Sequence, residues 1–189
     1  MKVAFVLGHT DGLRKEKDKG KFSKWLNQSE WDWYKSFEDD LNILGDVFEH
    51  DSNTTSYTSR QKKMAIRTKD YDLVIELHFN GFKDSDGDGD GDASGCECLY
   101  YEGNKKTEML AKKFCKLVKE HIGIKTRRRH GAIPVTNGRG SGFLKRQIPN
   151  ALLIEPFFGD NESDCQKIKD SECKLFTKVL RELIEDENI

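Results

Sequence analysis

Three short apolar runs are the clearest strand signals in the chain. They cover residues 3–7 (VAFVL), 73–77 (LVIEL) and 151–154 (ALLI). A run without polar alternation is typical of a strand that is buried on both faces, as in a parallel sheet covered by helices. The segments 46–49 and 96–101 predict two further, shorter strands.

Four other stretches carry apolar residues at helical spacing. The first is expected to begin between Ser29 and Asp32 and to end at Gly45, and Gly123 is expected to end the third. The predicted helices cover 29–45, about 58–69, a segment around 110–121, and 163–186. The segments between them, 8–29, 81–95 and 123–147, are polar or rich in glycine and are expected to be loops.

Strands separated by helices indicate an α/β fold, with an at least partly parallel sheet and helices on both faces. The chain has 189 residues, without an internal repeat or a linker-like segment. This length is typical of one compact domain. We therefore expect a single α/β domain over residues 1–189.

Charge and cysteine content narrow the classes of function. Lys and Arg total 32 against 33 Asp and Glu, a net charge of -1, so the overall charge does not favour nucleic acid or an anionic membrane. The five cysteines form no CxxC pair, and the apolar run at the N-terminus is short for a signal peptide. No segment has the length of a membrane anchor. We expect a protein that is cytoplasmic where it is made; its oligomeric state is not indicated.

Polar residues stand directly after the three strong strands. His9 follows the first strand, His78 the second and Glu155 the third. Ligands of open α/β sheets bind beyond the carboxyl ends of the strands, where neighbouring parallel strands bring such residues together. Two imidazoles and one carboxylate are a normal ligand set for catalytic zinc, which activates water and polarises a carbonyl. From the residues alone, His9, His78 and Glu155 are the candidate zinc ligands.

Four sequence blocks carry a resemblance to a known family. They are GHTDG (8–12), LVIELHFNG (73–81), GCECLYY (95–101) and LLIEPFFGDN (152–161). In this order they closely resemble the zinc-dependent N-acetylmuramoyl-L-alanine amidases of the amidase-3 type. The resemblance implies a mixed, mostly parallel six-stranded sheet and a single catalytic domain without a separate cell-wall-binding module. The short form of the chain resembles phage endolysins of that family, which implies action on the cell wall after release.

The resemblance also changes the expected roles of the site residues. His9 and His78 match the two histidine ligands of the family, and Glu30 in SEWDW matches the glutamate ligand that opens the helix after the first loop. Glu155 matches the catalytic glutamate, which acts as general base and then as general acid. The expected zinc ligands become His9, Glu30 and His78.

Two other glutamates lie near these residues in the sequence. Glu38 is the alternative third ligand, although it lies two turns further along the predicted helix. Glu76 shares a block with His78, and strand alternation is expected to point it away from the site.

The Asp/Gly-rich loop contains a second candidate metal site. Asp86, Asp88 and Asp90, followed by Gly91 and Glu97, satisfy the spacing of a calcium-binding loop. The flanking helices of an EF-hand are missing, and Glu97 lies on a predicted strand. Calcium is therefore a secondary expectation beside zinc, and a solvated loop is the alternative.

A basic region at 127–146 offers contacts to the substrate. Like-charge blocks are usually solvated loops, and this one lacks the interleaved aromatic residues of a nucleic-acid site. Peptidoglycan stem peptides carry carboxylates, with which arginine pairs well. Arg129 and Asn80 are the candidate substrate contacts.

The expected function is zinc-dependent hydrolysis of the amide bond between N-acetylmuramic acid and L-alanine in peptidoglycan. A zinc carboxypeptidase-like peptidase is an alternative, but the H-x-x-E pair of those enzymes is missing after His9. A metal-binding or wall-binding protein without catalysis is a second alternative, and Glu155 argues against it because binding alone needs no general base.

Overall fold

The computed structural model describes residues 1–11, 16–54, 56–82, 90–147 and 150–185. The strands are β1 (Val3–Leu7), β2 (Phe22–Ser23), β3 (Gln28–Ser29), β4 (Asp46–Phe48), β5 (Leu73–Leu77), β6 (Glu97–Tyr101), β7 (Ala132–Val135) and β8 (Ala151–Glu155). The α-helices are α1 (Glu30–Lys35), α2 (Glu38–Leu44), α3 (Tyr57–Arg67), α4 (Lys105–Ile122), α5 (Ser141–Leu144) and α6 (Glu162–Ile184), with a short 3-10 helix at Glu16–Lys19.

Six of the strands form one mixed sheet in the order β4-β1-β5-β8-β6-β7. Every neighbouring pair is parallel except β6 and β8, which are antiparallel. The three strands with the strongest apolar runs, β1, β5 and β8, are adjacent at the centre. The predicted mixed, mostly parallel six-stranded sheet is therefore confirmed.

Helices cover both faces of the sheet, as predicted. On one face, the side chains of Phe5, Ile75 and Ile154 pack with residues of α1, α2, α4 and α6. On the other face, Val74 and Leu153 pack with residues of α3 and α5. Because every residue of β1, β5 and β8 is buried, these strands need apolar side chains on both faces, which explains their continuous runs.

Local signals in the sequence explain where the helices begin and end. The side chains of Ser29, Ser56, Asn104 and Asn161 cap the N-termini of α1, α3, α4 and α6. Gly123 ends α4 in the left-handed conformation, with φ of 78°, which favours glycine because it has no Cβ.

The predicted helix from Ser29 to Gly45 is two helices. α1 ends at Lys35, where the Ser36 hydroxyl donates a hydrogen bond to the carbonyl oxygen of Trp33, 2.6 Å away. Such side-chain bonding competes with the helical ladder. Phe37 leaves the helical region, with φ of -129°, and α2 begins at Glu38. The rings of Trp33 and Phe37 pack against each other across the break, with centroids 5.0 Å apart.

The region 123–147, expected to be irregular, contains β7 and α5. Among the described strands, β7 pairs with β6 alone, at the edge of the sheet. Pro134 lies within it. Proline lacks a backbone N–H, and an edge strand tolerates this loss because one of its sides has no partner strand. The strand was missed because it is short and contains proline. None of the helices in the described ranges is long and apolar enough to cross a membrane.

Candidate active site

Glu30 directly follows the hairpin of β2 and β3 and lies at the carboxyl edge of the six-stranded sheet. Ser29 ends β3 and caps α1, accepting a hydrogen bond from the Asp32 backbone N–H at 3.2 Å. Glu30 is thus the first helical residue, and its Oε1 accepts a hydrogen bond from the backbone N–H of Lys21 at 2.8 Å. Its other oxygen, Oε2, lies 3.3 Å from the backbone nitrogen of Phe79. This buried carboxylate is therefore held from two sides.

The two histidines lie where β1 and β5 end, and glycines make room for their rings. A Cβ on Gly8 would lie 2.3 Å from His78 Cε1, and a Cβ on Gly20 would lie 2.7 Å from His9 Nε2. Both separations are too short for any side chain. The Tyr34 hydroxyl donates a hydrogen bond of 2.8 Å to the His78 carbonyl oxygen, which secures the backbone of that residue.

His9, Glu30 and His78 form one cluster. Glu30 Oε2 lies 3.2 Å from His9 Nε2 and 3.1 Å from His78 Nδ1, and one ligand atom from each residue lies within 4.8 Å of the others. Ligand atoms around tetrahedral zinc, at bond lengths of about 2.0 Å, are about 3.3 Å apart. The donor types and spacing therefore fit a zinc ion.

Charge at the cluster favours a cation. Burial by itself would raise the pKa of Glu30, but hydrogen bonds with His78 and His9 lower it to about 2. Burial would lower the pKa of His78, but hydrogen bonds with Glu30 and Glu76 raise it to about 10. The shift of Glu30 keeps its carboxylate ionised, and the shift of His78 indicates that the neighbouring carboxylates favour positive charge at this position.

Glu155 ends β8, beside the cluster but separate from it. It is 5% exposed, and its Oε2 has no hydrogen-bond partner among the described residues. Arg139 Nη1 lies 3.5 Å from that oxygen. Burial raises the pKa of Glu155 to about 7, although the positive charges of Arg139 and His78 act in the opposite direction. A carboxyl group with this pKa is suited to exchange protons near neutral pH.

These residues share a cavity of about 500 Å³. Its wall includes the three residues of the cluster, Glu155, Glu76, Asn80, Arg139 and Tyr57. An open cavity that holds a candidate metal cluster beside a buried carboxyl group with a raised pKa has the features of a hydrolytic active site.

A family profile described as N-acetylmuramoyl-L-alanine amidase, of the amidase-3 type, matches residues 23–185. The chain belongs to this family. Glu30, His78 and Glu155 lie inside the matched range, and His9 lies before it. No match was found among curated protein sequences.

Solved structures of amidases have the same fold. The catalytic domain of the CD27L endolysin, which targets Clostridium difficile, matches with a TM-score of 0.68 and 24% identity over 100% of this chain and 99% of that chain. An N-acetylmuramoyl-L-alanine amidase from Clostridium difficile 630 matches with a TM-score of 0.65 and 24% identity over 97% of this chain and 92% of that chain. The catalytic domain of CwlV from Bacillus (Paenibacillus) polymyxa matches with a TM-score of 0.63 and 17% identity over 97% of this chain and 94% of that chain.

Within this amidase fold, the position of Glu76 corrects the sequence-based expectation. Glu76 lines the cavity, and its Oε2 lies 3.6 Å from His78 Nε2. Residues two positions apart on a strand lie on the same face, so the expectation that Glu76 points away from the site was wrong. Burial by itself would raise the pKa of Glu76, but hydrogen bonds with His50 and His78 lower it.

The basic region contributes Arg139 to the cavity wall of this family member, whereas Arg129 lies elsewhere. Arg129 is exposed and lines a separate cavity with lysines of α4. Arg139 donates to Glu97 Oε2 at 2.8 Å and to Asn80 Oδ1 at 3.2 Å. Arg139 belongs to the basic region 127–146 for which substrate contacts were predicted, but Arg129 was the residue expected to make them.

Glu97, the last residue of the candidate calcium loop, has other partners in this family member. It lies 2.9 Å from Arg127 and 2.8 Å from Arg139, so a cation would compete with two guanidinium groups. Asp90 Oδ1 accepts a hydrogen bond from the Glu162 backbone N–H. Asp86 and Asp88 lie outside the described residues. The residues that the structure describes in this region do not support the expectation of calcium.

Proposed function

We propose that this chain is a zinc-dependent hydrolase that cleaves the amide bond between N-acetylmuramic acid and L-alanine in peptidoglycan. The observation that carries the proposal is the cluster of His9, Glu30 and His78, placed in one cavity with the buried Glu155. Membership of the amidase family supports the same substrate.

In this proposal, His9, Glu30 and His78 hold the zinc. When bound, zinc supplies a Lewis acid that polarises the amide carbonyl and acidifies water. Glu155 takes a proton from the attacking water while the oxygen of that water bonds to the carbonyl carbon. It passes that proton to the nitrogen of L-alanine as the C–N bond breaks, which leaves a free amine and the lactyl carboxylate of the sugar.

Arg139 is proposed to bind a carboxylate of the stem peptide. Arg139 lines the cavity and pairs with Glu97, which is also paired with Arg127, and it lies 3.5 Å from the proposed general base Glu155. The Arg139 side chain is 51% exposed, which leaves it accessible from the cavity. The side-chain oxygen of Asn80 accepts a hydrogen bond from Arg139. Besides the predicted contact with the substrate, we therefore propose that Asn80 orients the Arg139 side chain.

We assign residues 1–189 to catalysis and propose that the protein acts as a phage endolysin. In that role it is made in the cytoplasm and acts on the cell wall after release. The fold shared with the CD27L endolysin catalytic domain supports this assignment.

The decisive experiment is digestion of dye-labelled, purified peptidoglycan, followed by mass spectrometry of the fragments. Wild-type protein is expected to release dye, to lose activity with a chelator, and to regain it with zinc. The fragments should carry new N-terminal L-alanine. Cleavage between stem amino acids would instead indicate the carboxypeptidase-like alternative, and zinc binding without any cleavage would indicate a binding protein.

A further inference from the structure

Glu76 belongs to a buried polar group beneath the metal cluster. Its Oε1 accepts a hydrogen bond from Gln61 Nε2 at 2.9 Å and lies 3.4 Å from His50 Nε2. The exposed fractions are 2% for Glu76, 2% for Gln61 and 8% for His50. A carboxylate buried to this degree needs such partners, because removing it from water is costly.

The other oxygen of Glu76 turns toward the metal cluster. Oε2 lies 3.6 Å from His78 Nε2, while Nδ1 on the opposite side of the imidazole lies 3.1 Å from Glu30 Oε2. The ring of His78 therefore stands between two carboxylates, one in the cluster and one behind it. The two nitrogens therefore lie near different carboxylates.

We propose that Glu76 is a positioning residue for the metal site, fixing the imidazole of His78 so that Nδ1 faces the cation. A histidine that binds a metal through Nδ1 carries its remaining hydrogen on Nε2, which here points toward a carboxylate. Carboxylates behind metal-binding histidines set the ring orientation and raise its basicity as a ligand. Gln61 and His50 in turn hold the carboxylate of Glu76 in place.

This inference rests on the proposed zinc site, and its test is zinc affinity measured without substrate. Glu76→Gln keeps the shape of the side chain but removes the carboxylate. We expect zinc affinity, measured by competition with a chromogenic chelator, to fall by about 10- to 100-fold. The apo variant should still show a cooperative thermal transition.

Asp164→Asn is the matched control, since it also replaces a buried carboxylate with an amide. Asp164 accepts hydrogen bonds from Ser94, Gly95 and Phe158 and has a structural role away from the histidines. It is expected to lower the melting temperature and to leave zinc affinity at the wild-type value. An equal loss of zinc affinity in both variants would mean a general effect on the fold and would overturn the proposal.

Glu76→Asp provides a second route. It keeps the charge but shortens the side chain, so it cannot reach His78 while keeping Gln61 and His50, and zinc affinity should again fall. Wild-type zinc affinity in a folded Glu76→Gln protein overturns the proposal. So does failure of both variants to fold, since Glu76 would then be a folding requirement. Weaker zinc binding in a chain that cleaves no peptidoglycan would support the positioning role while refuting the proposed function.

Discussion

Glu30 Oε2 lies 3.1 Å from His78 Nδ1, although 48 positions separate the two residues along the chain. The first turn of α1 brings Glu30 to the carboxyl end of β5, where His78 follows the strand. The contact joins a helix N-terminus to the end of a strand, and the proposed metal site is built around it.

Glu30→Gln tests this contact directly. The variant removes the charge of the central ligand while keeping the shape of the side chain. Zinc affinity is expected to fall by more than about 100-fold, beyond the cost of losing a residue that only orients a ligand. Chelator competition measures the change. The alternative ligand gives the control: Glu38→Gln should bind zinc like the wild type, and the opposite ranking would move the third ligand to Glu38.

Glu155→Gln separates metal binding from catalysis. The amide cannot accept the proton of the attacking water, so kcat on purified peptidoglycan is expected to fall by about 10²- to 10⁴-fold. Zinc affinity should be unchanged because Glu155 is separate from the three ligands. The exposed Glu102 offers a control, Glu102→Gln, which should keep full activity. A Glu155→Gln protein that digests the wall at the wild-type rate would exclude the proposed general base.

The pH dependence of activity should follow the ionisation of Glu155. Its pKa is raised to about 7 by burial, and only the ionised form can act as a base. Bound zinc adds positive charge, which lowers the pKa, so the midpoint of the acidic limb should lie at or below about pH 7. Activity should therefore fall as pH decreases below this midpoint. A pH–rate profile of the zinc-loaded protein checks the limb, and a rate that instead rises toward acid contradicts it.

The stability of the zinc-free protein should also depend on pH. The pKa of Glu30 is lowered, so its contribution is present above its ordinary value near 4.5 and is lost as pH falls toward 2. The pKa of His78 is raised, so its contribution is present below 6.5 and is lost as pH rises toward 10. Urea midpoints of chelator-treated protein are therefore expected to be highest between about pH 4.5 and pH 6.5, where both contributions are present. Glu30→Gln should flatten the acidic limb, and an unchanged limb would count against the ion pair.

Arg139→Gln tests recognition of the stem peptide. KM for soluble muropeptides with free stem carboxylates is expected to rise about tenfold, the effect of losing one hydrogen bond to a charged group. Muropeptides with amidated carboxylates should show a smaller change. Arg129→Gln, in the separate basic cavity, is the matched control and should leave KM unchanged. A rise in KM for Arg129→Gln alone would return the role to the residue first expected from the sequence.

Much of the fold was predictable because burial constrains composition. β1, β5 and β8 are buried on both faces, and their runs of apolar residues have no other simple explanation. β7 escaped prediction because an edge strand of four residues with a proline lacks that signal. The break between α1 and α2 at Ser36 was also not predicted, because the helical spacing of apolar residues continues through it.

The sequence by itself determined which chemistry was available: histidines and a glutamate placed directly after buried strands, in an order that resembles the amidase family. Tertiary structure alone decided which of these groups meet. Only folding puts Glu30 against His9 and His78 and selects Arg139 over Arg129 for the cavity. The physical reason is that strand and helix periodicity describe neighbours a few residues apart, whereas these contacts join segments that are distant in the chain and close only in the folded sheet.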